Sequence, residues 1–242
     1  MSYISKTNNL KTNMRYLCLF FFMLNCQVKK SDPIKVNSET QSDIKKINSQ
    51  KTISEIDKEF LINDKNVMEF FLEYDKLNKE NKVRIYTDYG SIDIRLFEET
   101  KFHRSNFIYL TKKKYFDNTQ FYRVINNFII QGGNSDDKIT LDKRKKIGRY
   151  LLPNDNKKGF KHNRGMVSMP SSAVQNPYKM ASPYEFFIVQ QKGGAHHLDG
   201  DYAVFGKVIS GMDVVDKIAS MPTDVGDWPE KNIYINKIEI IK

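Results

Sequence analysis

The 242-residue chain is 40% hydrophobic and 28% charged, with a formal net charge of +10. These proportions suit one soluble domain with appendages and, together with a negative mean hydropathy, exclude a polytopic membrane protein. Positive residues are spread over many segments and dense only within 138–164; this stretch reads as a solvated basic loop, with polyanion attachment as the alternative and no specific nucleic acid expected.

Both cysteines, Cys18 and Cys26, fall near the start of the chain, so no disulfide or thiolate metal site can brace the residues downstream of them. Lys6, Lys11 and Arg15 precede an apolar run over 16–24, the order of an export signal. That run is much shorter than the ~20 apolar residues that span a bilayer as a helix. Met23-Leu24-Asn25-Cys26 resembles a bacterial lipobox, which implies lipidation of Cys26 and a membrane anchor there. Asn25 departs from the small residue the lipobox favours, so a plain cleaved signal with an incidental cysteine stays open. So does a start at Met14 instead of Met1. Either reading exports the protein, and the expected location is the bacterial envelope, periplasmic and membrane-anchored.

Residues 1–26 are thus read as the signal and 27–53 as a polar tether too poor in apolar groups to offset the entropy of ordering. Over 54–81, Ile56, Phe60, Val67, Phe71, Tyr74 and Leu77 recur at helical spacing. They predict an extra N-terminal amphipathic helix, with Ser54 as its N-cap, that packs on the domain or on a partner.

From residue 82 to 242 the pattern changes. Val83, Ile85 and Thr87 alternate with polar neighbours, Asp88-Tyr89-Gly90 turns the chain, and Ile92, Ile94 and Leu96 alternate again, which predicts a hairpin. Residues 100–113 have a helical rhythm through Phe102, Phe107 and Leu110. Strands are predicted at 120–125, 128–131, 166–169, 185–189 and 203–208, and a helix at 211–220. A last strand follows at 233–241, whose phase shift between Ile235 and Ile238 predicts a bulge. Many short strands and two helices inside the domain argue for a mainly β, antiparallel, closed or sandwich sheet.

Phe121-Tyr122-Arg123-Val124-Ile125, two loop residues, then Phe128-Ile129-Ile130-Gln131-Gly132-Gly133-Asn134 resembles the cyclophilin signature F-H-R-V-I, two loop residues, F-M-x-Q-G-G-D. Gly165-Met166-Val167-Ser168-Met169, Phe186-Phe187-Ile188, Leu198-Asp199-Gly200 and Phe205-Gly206-Lys207-Val208 resemble later segments of that family in its order. The resemblance implies a closed eight-stranded antiparallel β-barrel capped by two α-helices, with a shallow outer groove for Xaa-Pro segments of polypeptide substrates. It further implies peptidyl-prolyl cis-trans isomerisation in the service of protein folding, by a monomeric catalytic domain without cofactor or metal.

By the same correspondence Arg123 is catalytic. Phe128, Ile129, Phe187 and Leu198 form the apolar floor, with Tyr202 where the family usually has histidine. Gln131 bonds the substrate backbone, and the main chain at Ser171 grips the residue before proline. Glu185 replaces a glutamine in the groove and is expected near Arg123, where a salt bridge could hold the guanidinium or compete with substrate. Pro170-Ser171 replaces alanine-asparagine, and a charged segment over 136–146 replaces a Gly-rich loop. His197 stands where the family's cyclosporin-contacting tryptophan usually lies, so weak inhibition is expected. The pair His196-His197 reads as structural. Glu185 and Pro170 are also the best support for the alternative, a non-catalytic peptide-binding or scaffolding module. Parity adds one geometric condition. An ideal two-residue loop at Asn126-Asn127 would put Arg123 and Gln131 on opposite faces, so a bulge or a wider loop is required.

Overall fold

The computed structural model describes residues 60–155, 158–171 and 176–242. The export signal, Cys26, the tether and the Ser54 cap lie outside them. Strand β1 (Ile62–Asn63) comes first, then helix α1 (Val67–Leu77). The helical spacing that begins at Ile56 is therefore not carried through as one helix. Asn63 and Asn66 break it, because Asn66 Oδ1 accepts the Asn63 N–H (2.8 Å) and Asn63 Oδ1 accepts the Lys65 N–H (2.9 Å), local bonds that compete with helix.

Strand β1 runs parallel to β6 (Gly148–Arg149) with Ile62 opposite Gly148. A Cβ on Gly148 would lie 1.9 Å from the Ile62 carbonyl oxygen, and its φ is +137°, so glycine alone fits this approach.

Helix α1 is welded to α2 (Lys101–Lys112). The rings of Phe70, Phe71 and Tyr74 surround Tyr109 at centroid distances of 5.2, 6.0 and 5.4 Å. Beside them Arg104, 1% exposed, donates to the Asp75 carboxylate and to the carbonyls of Asn78 (3.2 Å) and Glu80 (3.1 Å). Asp75 also accepts from Ser105 Oγ (3.0 Å) and Lys79 (2.8 Å). A buried pair with this many partners ties the helix carrying Asp75 to the body of the domain, although the Arg104 Nε is left without one.

The barrel comprises β2 (Lys82–Thr87), β3 (Gly90–Leu96), β4 (Thr119–Ile125), β5 (Ile129–Asn134), β7 (Met166–Ser168), β8 (Phe186–Val189), β9 (Val204–Ser210), β10 (Tyr234–Ile235) and β11 (Lys237–Ile240). Neighbours are antiparallel in the order β10-β4-β5-β8-β7-β9-β3-β2-β11. The expected bulge in the last strand is a full break at Asn236. One half pairs with β4 and the other with β2, so this single strand brings the two edges of the sheet together and all but closes the barrel. Counted as one interrupted strand, it makes the expected eight.

Alternation puts Val83, Ile85, Ile92, Ile94, Val124, Ile130, Ile188 and Phe205 in the interior. Phe107 of α2 packs there on Phe116, Phe186 and Phe205 at 4.8, 5.4 and 5.6 Å. Helix α4 (Met212–Ala219) adds Val214, Val215 and Ile218.

The first part of the basic stretch is not the solvated loop its composition suggests, whereas the described residues of 150–164 are irregular, with Lys158 and Lys161 exposed. Residues Lys138–Ile147 form helix α3, capped by Asp137, whose side chain accepts the Thr140 N–H at 2.7 Å. Arg144, Lys145 and Lys146 fall in its last turn, where the helix dipole favours cations. Two of its cations reach inward. Lys143 donates to the Asp117 carbonyl (2.6 Å), and Arg144 to the Tyr115 hydroxyl (2.9 Å). Among the described residues no helix is long and apolar enough to cross a membrane.

Candidate active site

The β4–β5 hairpin satisfies the parity condition through the wider loop. Its loop has three residues, since Ile125 pairs with Ile129, and Asn127 sits at φ +56°. This puts Arg123 directly opposite Gln131. Beyond them the pairing shifts to Phe121 with Gly132, which leaves Tyr122 as the extra residue of a bulge and turns its side chain toward Gln131.

The row continues across the sheet, Gln131 opposite Phe187 and Phe187 opposite Ser168. Ile129 pairs with Val189 two residues along, on the same face. Because Val124, Ile130, Ile188 and Val167 fill the interior, this row must face outward.

On that outer face lies a second apolar cluster, separate from the core. Ile129, Phe187, Val189 and Ala195 are its buried part, with Phe128, Met166, Leu198 and Tyr202 packed around them. Tyr202 meets Phe187 edge-on at 6.0 Å, and His197 stacks on Phe128 at 5.2 Å. The residues expected to form the floor are therefore neighbours, and Met166 is a member that the sequence reading missed.

Beneath the floor His162, with no exposed surface, stacks on Phe187 at 6.0 Å. Its Nδ1 lies 2.9 Å from Asp199 Oδ1 and its Nε2 3.2 Å from Ser168 Oγ. Ser168 is wholly buried and its hydroxyl also reaches the Ala203 carbonyl (2.8 Å), so the trio braces the floor and has no route to a substrate. Burial pushes the His162 ring below the usual histidine range against the pull of Asp199. Burial pushes the Asp199 carboxyl up, but hydrogen bonds from the His162 backbone N–H and ring and from His196 outweigh this and hold it at about 2.

Since the folded value lies below the ordinary 3.8, Asp199 stabilises the fold above about pH 4, and that contribution disappears as pH falls through about 2. Asp199→Asn should cost about 2 kcal/mol at pH 7, and urea titrations should find the gap from wild type narrowing toward pH 2.5. A gap that does not change with pH would contradict this account.

Arg123 sits at the rim of the floor, its side chain 42% exposed and its Nε 3.3 Å from Asp227 Oδ2. Asp227 comes from a tight turn in which Asp224 Oδ1 accepts the N–H groups of Gly226 (2.8 Å) and Trp228 (2.9 Å). The turn docks on β4 through Val124 N–H to the Asp227 carbonyl (2.9 Å), and Trp228 packs on Tyr122 at 5.7 Å. Neither Asp227 nor Trp228 was foreseen. Their composition signals a turn but not where it docks.

Glu185 does not pair with Arg123. It precedes β8, beyond the Gly132–Phe186 pair, and there accepts from Tyr122 Oη (3.1 Å) and Asn134 Nδ2 (3.2 Å) and faces the Arg144 guanidinium at 3.6 Å. Ser171 bridges to Ala181, with the bond made by Ser182 N–H and the Pro170 carbonyl at 2.7 Å. In that ladder pattern the N–H and C=O of Ser171 itself point away from Ala181.

A fixed guanidinium and a carboxamide thus stand beside an apolar shelf on the outside of a rigid barrel. Residues 82–240 match the family model described as cyclophilin type peptidyl-prolyl cis-trans isomerase/CLD. A peptidyl-prolyl cis-trans isomerase of Acinetobacter baylyi is 37% identical over 166 residues, covering 65% of this chain and 84% of that protein. Peptidyl-prolyl cis-trans isomerase-like 2 of Rhizopus delemar is 38% identical over 169 residues, 69% of this chain, but the chain spans only 30% of its length. Among solved structures, a cyclophilin type peptidyl-prolyl cis-trans isomerase of Cryptosporidium parvum superposes with a TM-score of 0.56 at 30% identity, covering 67% of this chain and 98% of its own. The same protein was also solved in the presence of the dipeptide Ala-Pro.

Proposed function

Since the chain belongs to the cyclophilin-type family and is a peptidyl-prolyl cis-trans isomerase, we propose that it acts on Xaa-Pro bonds of exported proteins in the bacterial envelope and assists their folding, with Arg123 as its catalytic residue. The observation that carries this reading is the half-exposed Arg123 guanidinium in register with Gln131 at the edge of the shelf over Phe187.

The barrier to peptide rotation is ~18–20 kcal/mol because double-bond character must be lost. For Xaa-Pro the two isomers differ by only about 0.5–1 kcal/mol, so the catalyst need favour neither. In the twisted state the proline nitrogen turns pyramidal and gains a lone pair. A charged, rigid donor aimed at it stabilises that state more than either planar isomer, as rate enhancement demands. The shelf formed by Phe128, Ile129, Phe187, Leu198 and Tyr202 would hold the proline ring by apolar contact. Gln131 and the main chain of Ser171 would hold the flanking backbone, while the preceding carbonyl swings. The Ala-Pro dipeptide used with the Cryptosporidium parvum relative supports a proline-containing substrate for this groove.

The experiment is an isomerisation assay on a proline peptide with purified protein, together with growth in radiolabelled fatty acid. Rates no faster than solvent would remove the enzymatic role. Lack of label on the wild-type chain would remove the lipid anchor at Cys26, and with it the proposed attachment to the membrane.

A further inference from the structure

Gln131 does not stand alone. Its Nε2 donates to Tyr122 Oη, and Tyr122 Oη donates to Glu185 Oε2 at 3.1 Å. Glu185 Oε1 accepts from Asn134 Nδ2 at 3.2 Å and faces the Arg144 guanidinium at 3.6 Å. Arg144 is held in turn by its Nε bond to Tyr115 Oη (2.9 Å) and by stacking over the Tyr184 ring at 5.1 Å.

The direction of each bond is dictated by chemistry. An ionised carboxylate only accepts, so the phenol must spend its single proton on Glu185. Burial first, and the Glu185 charge second, push the Tyr122 hydroxyl well above its ordinary range, so that proton stays in place. Tyr122 Oη can then only accept from Gln131, which forces the carboxamide nitrogen toward Tyr122 and leaves the carbonyl oxygen and one N–H for a ligand. A glutamine side chain without such a partner could flip between two orientations of nearly equal shape.

We propose that Glu185 and Tyr122 are positioning residues, a one-way hydrogen-bond relay backed by the Arg144 ion pair from helix α3, which sets the Gln131 carboxamide in the orientation that meets the substrate backbone. The proposal rests on the reading of Gln131 as a substrate-binding residue. It gives Glu185 a role behind the groove and makes the charged helix a determinant of how tightly substrate is held.

The test compares wild type with Tyr122→Phe, Glu185→Ala, Glu185→Gln and Arg123→Ala, with two readouts. The first is steady-state isomerisation of a proline tetrapeptide. Loss of one oriented hydrogen bond should raise KM about 5- to 10-fold in Tyr122→Phe and Glu185→Ala, with kcat within about twofold of wild type. Glu185→Gln keeps an acceptor oxygen for the phenol and should recover most of the loss.

The second readout is the side-chain carboxamide of Gln131 by proton–nitrogen NMR, which needs no activity. Its two N–H signals should be well separated in wild type, Glu185→Gln and Arg123→Ala. They should move to free-carboxamide positions in Tyr122→Phe and Glu185→Ala. Unchanged signals in those two variants overturn the relay, as does a KM that stays at the wild-type value. A wild type that fails to isomerise sinks the enzymatic reading instead, and the NMR readout still decides the relay.

Discussion

Arg123→Ala should lower kcat/KM for a proline peptide about 100- to 1,000-fold, the range seen when one preorganised donor to a developing charge is removed. The loss should fall on kcat, because the donor acts where the twisted nitrogen gains its lone pair and the shelf still binds the planar peptide. Stability should scarcely change. The Arg123 and Asp227 side chains are 42% and 39% exposed, so the carboxylate left behind is solvated by water, and exposed ion pairs contribute about 0–1 kcal/mol. Arg123→Lys should recover only part of the rate, since an ammonium on a flexible stem lacks the rigid fork. Stopped-flow cis-to-trans conversion with thermal unfolding as a folding control measures both. Alanine activity within threefold of wild type, on a folded protein, would remove Arg123 from the mechanism.

Arg104→Met should destabilise the protein by about 3–5 kcal/mol, the cost of breaking a buried pair from one side. The guanidinium is 1% exposed and satisfies three acceptors, the Asp75 carboxylate and the carbonyls of Asn78 and Glu80. Its removal leaves a charge with 8% exposure supported by Ser105 and Lys79 alone. The double variant Asp75→Leu with Arg104→Met should recover much of the loss, because an apolar pair carries no uncompensated charge. Urea unfolding of the three proteins distinguishes these cases. A loss under 1 kcal/mol in Arg104→Met would mean that the aromatic contacts of α1 hold that helix without the ion pair.

The barrel strands were readable because apolar alternation is a local signal, and Val83 to Leu96 kept its phase through a turn that the residues themselves announced. Arg123, Gln131 and Phe187 came from a motif, and the sheet register puts them in one row. Asp227 could not be read this way. It meets Arg123 across 104 positions of chain, through a docked turn whose address is a single backbone bond to Val124. Helix α3 escaped for a different reason. Only Thr140 and Ile147 of its residues are buried, so there was no apolar stripe to betray a 3.6 period, and its evidence was the Asp137 cap. Strand β1 depends on a glycine eighty-six positions later, a contact invisible in either segment alone.

The socket that receives Phe71 and the close approach of Gly148 to Ile62 bear on where the gene can be cut. The match to the family model begins at residue 82, and a fragment starting there would contain every residue of the groove. It would also lay bare Tyr109 and Tyr150, which rest against Phe71 at 6.0 and 5.9 Å, and would strip β6 of its only strand partner among the described residues. Family likeness and packing therefore draw different borders on this chain. The family match starts at one position, and the packing that a fragment must keep whole reaches at least twenty residues further back, to Ile62 and beyond.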